Sequence, residues 1–171
     1  MRGNMITPRW QSLWSDEQGT AMLECALILP VLMALLSGVF EFSWFFYQRH
    51  LVAIGLCDAA CYITQTKDPC NPSSSDWATE QERARNLATK GSIEGGNSVI
   101  NGWTPKMVTL HCAKIDNPIE RSGLHRYRGA FVYIVTVSTQ FSYRSLGFLE
   151  LLRLQSPIIN VSHSERAIGY R

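Results

Sequence analysis

The first third of the chain is dominated by one long apolar run, from Ala21 to Tyr47. Only two of its side chains, Glu24 and Glu41, carry a charge. If these 27 residues are helical they extend about 40 Å, which exceeds the roughly 30 Å hydrocarbon core of a bilayer. The run is too long for the apolar core of a cleaved secretory signal peptide. The pattern therefore predicts a retained transmembrane helix over residues 20–47.

The ends of the predicted span have the features of a membrane helix that continues into water. Trp44 and Tyr47 are typical of the aromatic belt at a membrane surface. Pro30 removes one backbone hydrogen bond, so we expect a kink there. The helical spacing of apolar residues persists to Ile63, and the turn-forming residues of 68–72 then end it. The numbers of basic residues on the two sides of the span are equal, so the positive-inside rule does not fix its orientation.

Beyond this helix the apolar spacing changes from element to element. Residues 77–90 are amphipathic and predict a helix, with Ser75 or Asp76 as the N-cap and Gly91 as its end. β-Branched and aromatic residues predict three strands, with a short apolar helix or turn over 147–154 before the last one. The strands are expected at 107–115, 130–143 and 158–170. The predicted fold class is α+β: a long N-terminal transmembrane helix that extends into a small head with a roughly three-stranded antiparallel sheet.

Charge and length narrow the classes of function. With 171 residues the chain fits one ordinary domain. From Arg49 onward there are 14 Lys and Arg against 10 Asp and Glu, a net charge of +4, and no long cationic run. We therefore expect no nucleic-acid partner. The basic segment Arg121 to Arg128 fits a solvated hairpin connection, although an acidic partner, DNA or a glycan are alternatives.

Five cysteines are many for this length, and disulfides are expected if the head lies outside the cytosol. Cys25 falls within the membrane run and should stay free. Cys57 and Cys61 are one helical turn apart, too far for a direct bridge. Among the remaining pairings we favour Cys61 with Cys70 and Cys57 with Cys112; the alternative is that some are buried free thiols. No metal site is expected, because no CxxC pair occurs.

A carboxylate inside the apolar run is the strongest candidate for function. An unpaired glutamate there costs several kcal/mol, so Glu24 either marks the lipid interface or has a partner. If a peptidase cut after Gly19, Thr20 would carry a new ammonium group, and Glu24 would be the fifth residue of the mature chain. The two charges would then be one helical turn apart and could pair, within one chain or between neighbours.

These residues carry a family resemblance. The sequence Gly19-Thr20-Ala21-x-x-Glu24-x-Ala26-Leu27-x-Leu29-Pro30, with Glu41-Phe42 downstream, resembles the TadE-like minor pilins of the tight-adherence (Tad, or Flp) pilus system. The resemblance implies that residues 1–19 are a leader, removed after Gly19 by a prepilin peptidase. It also implies a single-pass protein of the bacterial inner membrane, with residues 48–171 in the periplasm. The expected role is in pilus assembly and surface adhesion.

The resemblance further implies a set of partners. They are the peptidase, a second minor pilin in a heterodimer, and the major pilin or the inner-membrane platform of the system.

Glu41 lies about 25 Å along the helix from Glu24 and roughly 100° around it. It is either an interfacial residue or a contact to a partner pilin.

No catalytic motif occurs in the sequence, and no enzyme activity or cofactor is expected. A pseudopilin of a type II secretion machine and a membrane-anchored periplasmic sensor or enzyme are the alternative functions.

Overall fold

In a computed structural model, the described residues are 17–66, 69–119, 122–123, 131–151 and 153–167. A long helix, α1 (Glu17–Thr64), is followed by α2 (Trp77–Lys90) and a 3₁₀ turn (Pro105–Met107). Three strands and one short helix complete the order: β1 (Val108–Asp116), β2 (Phe131–Ser142), α3 (Phe148–Leu151) and β3 (Ile158–Ala167). The predicted α+β class is confirmed. The chain forms two compact units, Met1–Phe42 and Ser43–Arg171.

The described part of the first unit is an apolar helix whose side chains are exposed. Leu23, Leu27 and Leu35 are each more than 60% exposed, and the same holds for most of the large apolar residues from Met22 to Phe42. The helix is long and apolar enough to cross a membrane. Pro30 lies inside it without ending it. Such a surface is stable only in lipid or against other apolar helices.

In the second unit, α1 has one buried face. The positions follow the helical spacing expected for a core-facing stripe: Val52, Leu56, Ala59, Ala60 and Ile63, all fully buried. They share a core with Ala84 and Ala88 of α2 and with Trp103. Small residues on both helices let their backbones approach closely. A Cβ added to Gly55 would overlap the carbonyl oxygen of Ala88 and lie 3.1 Å from Cη2 of Trp103.

We expect Gly55→Ala to destabilise the head by about 1–3 kcal/mol, because its methyl group meets backbone and a fully buried ring rather than a movable side-chain end. This cost outweighs the gain of up to about 1 kcal/mol that alanine brings to a helix. Chemical unfolding of the full chain in detergent, followed by near-ultraviolet circular dichroism, measures the change. Gly38→Ala on the same helix is the matched control, since nothing lies within 4 Å of its added Cβ. Equal stability of the two variants would contradict this packing.

The three strands form one antiparallel sheet in the order β1-β2-β3. Val137 of β2 pairs with Leu110 of β1 and with His163 of β3. Alternate residues of β2 face the core: Val135, Val137, Thr139 and Phe141 are buried. The predicted strands are confirmed to within one residue at each described end of β1 and β2. β3 begins where predicted, and its predicted end lies outside the described residues.

The ends of α2 are only partly as predicted. Gly91 ends the helix with φ of +70° and donates its N–H to the carbonyl of Leu87, as expected for a glycine C-cap. The predicted side-chain N-cap is wrong. Asp76 adopts helical backbone angles and makes no capping hydrogen bond, and the hydroxyl of Ser75 bonds to the Asp76 carboxylate instead.

The predicted disulfide pairings are wrong. Cys70 bonds to Cys112, with Cα atoms 5.6 Å apart, and Cys57 and Cys61 are free thiols. Cys70 takes a left-handed backbone conformation (φ 68°) in the turn after α1 and contacts β1. Cys57 and Cys61 lie partly exposed on α1. Burial, followed by the proximity of Cys57, raises the pKa of the Cys61 thiol and so favours its neutral form.

Candidate assembly site

The predicted assembly residues lie in the first turns of α1. Thr20 and Glu24 are both exposed and are separated by four helical residues, so they share one face with a rise of about 6 Å between them. Gly19 is exposed too, and an added Cβ would meet no atom within 4 Å. Within the described structure, no other residue therefore lies close to Gly19 on the side where a side chain would stand.

The surroundings of Glu24 are apolar and uncovered. The nearest large side chains on the helix surface are exposed: Met22 (77%), Leu23 (64%), Leu27 (69%) and Ile28 (62%). In a bilayer these side chains remove water from the carboxylate, which makes an ionised, unpaired Glu24 costly. A positive charge one turn away, such as an ammonium group on Thr20 after cleavage, would offset that cost. Gly19, Thr20 and Glu24 thus lie within the first turns of one helix, and their roles in cleavage and assembly stay predictions.

Glu41 lies in a different environment. It is only 4% exposed, whereas its neighbours Phe40 and Phe42 are 60% and 64% exposed. This burial was not predictable from the apolar residues on either side of Glu41. A role of Glu41 in contacting a partner pilin stays a prediction.

A polar link between α1 and α2 was missed by sequence reasoning. The hydroxyl of Tyr62 donates a hydrogen bond of 2.5 Å to Oε2 of Glu80, and Arg83 forms an ion pair of 2.9 Å with Oε1 of the same carboxylate. Burial, and next the hydrogen bond to Glu80, raises the pKa of Tyr62 above its usual value near 10. The link fixes α2 beside the last turns of α1. A Tyr eighteen residues before a Glu gives no local signal, because the contact depends on how two helices pack.

This link predicts a stability change at alkaline pH. A raised pKa means that folded Tyr62 holds its proton more tightly than the unfolded chain does. Its contribution is therefore complete below pH about 10 and is lost as the pH rises through the folded pKa. We expect Tyr62→Phe to cost about 1 kcal/mol at pH 7 and to flatten the decline of stability above pH 10. Unfolding at pH 7 to 11 measures both, with the exposed Tyr47→Phe as the control. An unchanged alkaline decline would contradict the link.

The core of the head contains a second polar contact. Trp103 is fully buried and its Nε1–H donates 3.0 Å to the hydroxyl of Thr139, which in turn donates 2.9 Å to the carbonyl of Met107. The Trp103 ring stacks on Phe141 at 5.9 Å between ring centroids. Both polar groups are thus satisfied inside an apolar core. This places Thr139 as a structural residue of the sheet.

Two further predictions concern the basic segment and metal binding. Of the basic segment Arg121 to Arg128, only residues 122 and 123 are described, so its proposed roles lie outside the described residues. Within the described ranges, no three His, Cys, Asp or Glu side chains are grouped so as to hold a metal ion.

Comparison with known proteins locates the assembly residues in a recognised segment. Residues 19–60 match the family model described as TadE-like protein. This match confirms the predicted resemblance over the segment that contains Gly19, Thr20, Glu24, Pro30 and Glu41. Neither the curated proteins nor the solved structures contain a match to the chain.

Proposed function

We propose that this chain is a non-enzymatic minor pilin of the Tad pilus system, and the match of residues 19–60 to the TadE-like family model supports the proposal. In this proposal the chain is inserted in the bacterial inner membrane and is cleaved between Gly19 and Thr20 by a prepilin peptidase. The mature protein, residues 20–171, then takes part in assembly of the pilus and in adhesion to surfaces.

The observation that carries the proposal is the placement of Glu24 one turn from Thr20 on an exposed, apolar helix. Cleavage converts the amide nitrogen of Thr20 to an ammonium group at the new start of the helix. In the membrane the ammonium and the Glu24 carboxylate offset each other's desolvation. Within an assembly the same ammonium can pair with Glu24 of a neighbouring subunit, which fixes the register of adjacent helices.

Packing area for assembly comes from the rest of the apolar helix. Side chains such as Leu32, Met33 and Leu36 are between 44% and 59% exposed within the described part of the chain. Lipid covers them in the membrane, and helices of partner pilins replace lipid on assembly. The free energy of these apolar side chains changes little when partner helices replace lipid around them. Charge pairing therefore decides the register of adjacent helices.

The orientation follows from the same proposal. Residues 20–47 span the inner membrane, and residues 48–171 form the periplasmic head. The Cys70–Cys112 disulfide supports this, because such bonds persist in the oxidising periplasm and are rare in the cytosol. The proposed partners are the peptidase, a second minor pilin, and the major pilin or the inner-membrane platform.

Deletion and complementation test the function. A strain that lacks the chain should lose Tad fibres, counted by electron microscopy, and should adhere poorly to surfaces. The wild-type chain should restore both. Secretion of folded exoproteins is measured in parallel: if it fails while fibres persist, the chain serves a type II secretion machine and the proposal is wrong. Unchanged fibres and adhesion in the deletion strain would contradict it as well.

A further inference from the structure

The connection between β2 and β3 exposes three large apolar side chains beside two arginines. Leu146, Leu151 and Leu154 are 50%, 80% and 55% exposed, and Arg144 and Arg153 are exposed as well. We refer to these five residues as the leucine-arginine patch. Soluble surfaces rarely group leucines in this way unless another phase or a partner covers them.

Hydrogen bonds among the described residues of the connection hold these leucines outward. At its base the N–H of Tyr143 donates 2.9 Å to the carbonyl of Pro157. At its tip the N–H of Leu154 donates 2.8 Å to the carbonyl of Leu149, whose side chain packs against the core of the head. Because Leu149 points to the core, the exposure of Leu151 and Leu154 is built into the turn.

One end of the patch lies beside the last residues of the apolar run on α1. The rings of Phe45 and Tyr143 meet edge to face at 5.3 Å, and Nε2 of Gln48 donates 3.3 Å to the carbonyl of Arg144. A cleft of about 450 Å³ opens there, and Trp44, Tyr47 and Leu146 are among the residues that line it. Trp44 and Tyr47 are the residues expected at the membrane surface. Arg144 and Leu146, at the start of the patch, are therefore level with the predicted interface.

We propose that the leucine-arginine patch docks on the surface of the same bilayer that holds residues 20–47. The leucines enter the boundary between headgroups and acyl chains, and Arg144 and Arg153 bind phosphates of anionic lipids. Glu150 is the single acid in residues 143–157, so the connection keeps a positive charge that complements an anionic membrane. This inference rests on the proposed membrane span. It would hold the head against the membrane until assembly lifts it away.

Photocrosslinking of the full chain in vesicles tests the docking. Leu151 is replaced by p-benzoylphenylalanine, the chain is reconstituted in phosphatidylcholine:phosphatidylglycerol 4:1, and lipid adducts are detected by mass spectrometry after irradiation. Ile119, which is 62% exposed, is the matched control. It follows β1 at the end of the sheet opposite to Ser142, about 37 Å away along β2. We expect the lipid adduct at position 151 to exceed that at position 119 by about tenfold.

A second variant tests the arginines. Arg144→Gln with Arg153→Gln should lower the adduct at position 151 about fivefold in the anionic vesicles and leave it nearly unchanged in phosphatidylcholine alone. Equal adducts at 151 and 119, or adducts to a second copy of the chain instead of lipid, would overturn the docking. Resistance of the chain to alkaline extraction distinguishes a failure of the docking from a failure of the membrane span. A chain that stays embedded without an adduct at 151 contradicts the patch alone, whereas a chain that washes off contradicts the membrane span itself.

Discussion

Glu24→Ala is expected to insert in the membrane and to be processed, yet to leave cells without assembled fibres. The apolar run of α1 is preserved or strengthened by the change, so insertion does not depend on the carboxylate. Assembly does, because the ammonium of Thr20 would lose its partner in apolar surroundings. Removing one member of such a pair costs about 3–5 kcal/mol, which corresponds to a loss of roughly 10²- to 4 × 10³-fold in association.

Three variants of the chain make this experiment selective, with fibres counted by electron microscopy and processing read from the mass of the membrane protein. Glu24→Gln keeps the size of the side chain and removes the charge, so it should fail like alanine. Leu27→Ala, nearly one turn further along the same exposed surface, removes apolar area without touching the pair and should retain most fibres. Normal fibre numbers with Glu24→Ala would refute charge pairing as the source of register.

Loss of the disulfide has the second large expected effect. The Cys70–Cys112 bond closes a loop with a sequence separation of 42. The chain-entropy relation gives about 4 kcal/mol of stability for such a loop. That is a large share of the about 5–15 kcal/mol by which a domain of ordinary size is stable. Cys70→Ser with Cys112→Ser should therefore lower the free energy of unfolding of the head by about 4 kcal/mol.

Chemical unfolding of the full chain in detergent, with and without reductant, measures this effect. Cys57→Ser with Cys61→Ser is the matched control, since both thiols are free, and it should change the free energy of unfolding by no more than about 1 kcal/mol. Reductant should destabilise the wild type and the control and leave the Cys70/Cys112 variant unaffected. A comparable loss of stability in both double variants would instead indicate the connectivity that the sequence predicts, with Cys57 and Cys61 bonded to Cys112 and Cys70.

The helices and strands were predictable because each depends on the spacing of apolar residues within a short segment of the chain. The helical period to Ile63, the amphipathic pattern ended by Gly91, and the β-branched run around Val135 all act within a few residues. The disulfide was not predictable. Which cysteine reaches Cys112 depends on the left-handed turn at Cys70, and sequence carries little signal for such a turn at a non-glycine residue.

Contacts between elements were likewise hidden in the sequence. Gly55 looked like one small residue in a helix, and only the packed α2 shows that Ala88 leaves no room for a Cβ. The bond of Tyr62 to Glu80 and that of Trp103 to Thr139 join residues 18 and 36 positions apart. The candidate site is the opposite case. Thr20 and Glu24 lie within one turn, so helical geometry alone brought them together.

The mass of the mature membrane protein tests the proposed function most directly. The chain is expressed with its prepilin peptidase, extracted from the membrane and measured intact, and its first residue is identified by N-terminal sequencing. Cleavage after Gly19 predicts a chain of 152 residues that begins at Thr20 with a free ammonium group. A chain that keeps residues 1–19, or one that begins at any other position, would deprive Glu24 of its partner and contradict the role of this protein as a pilin.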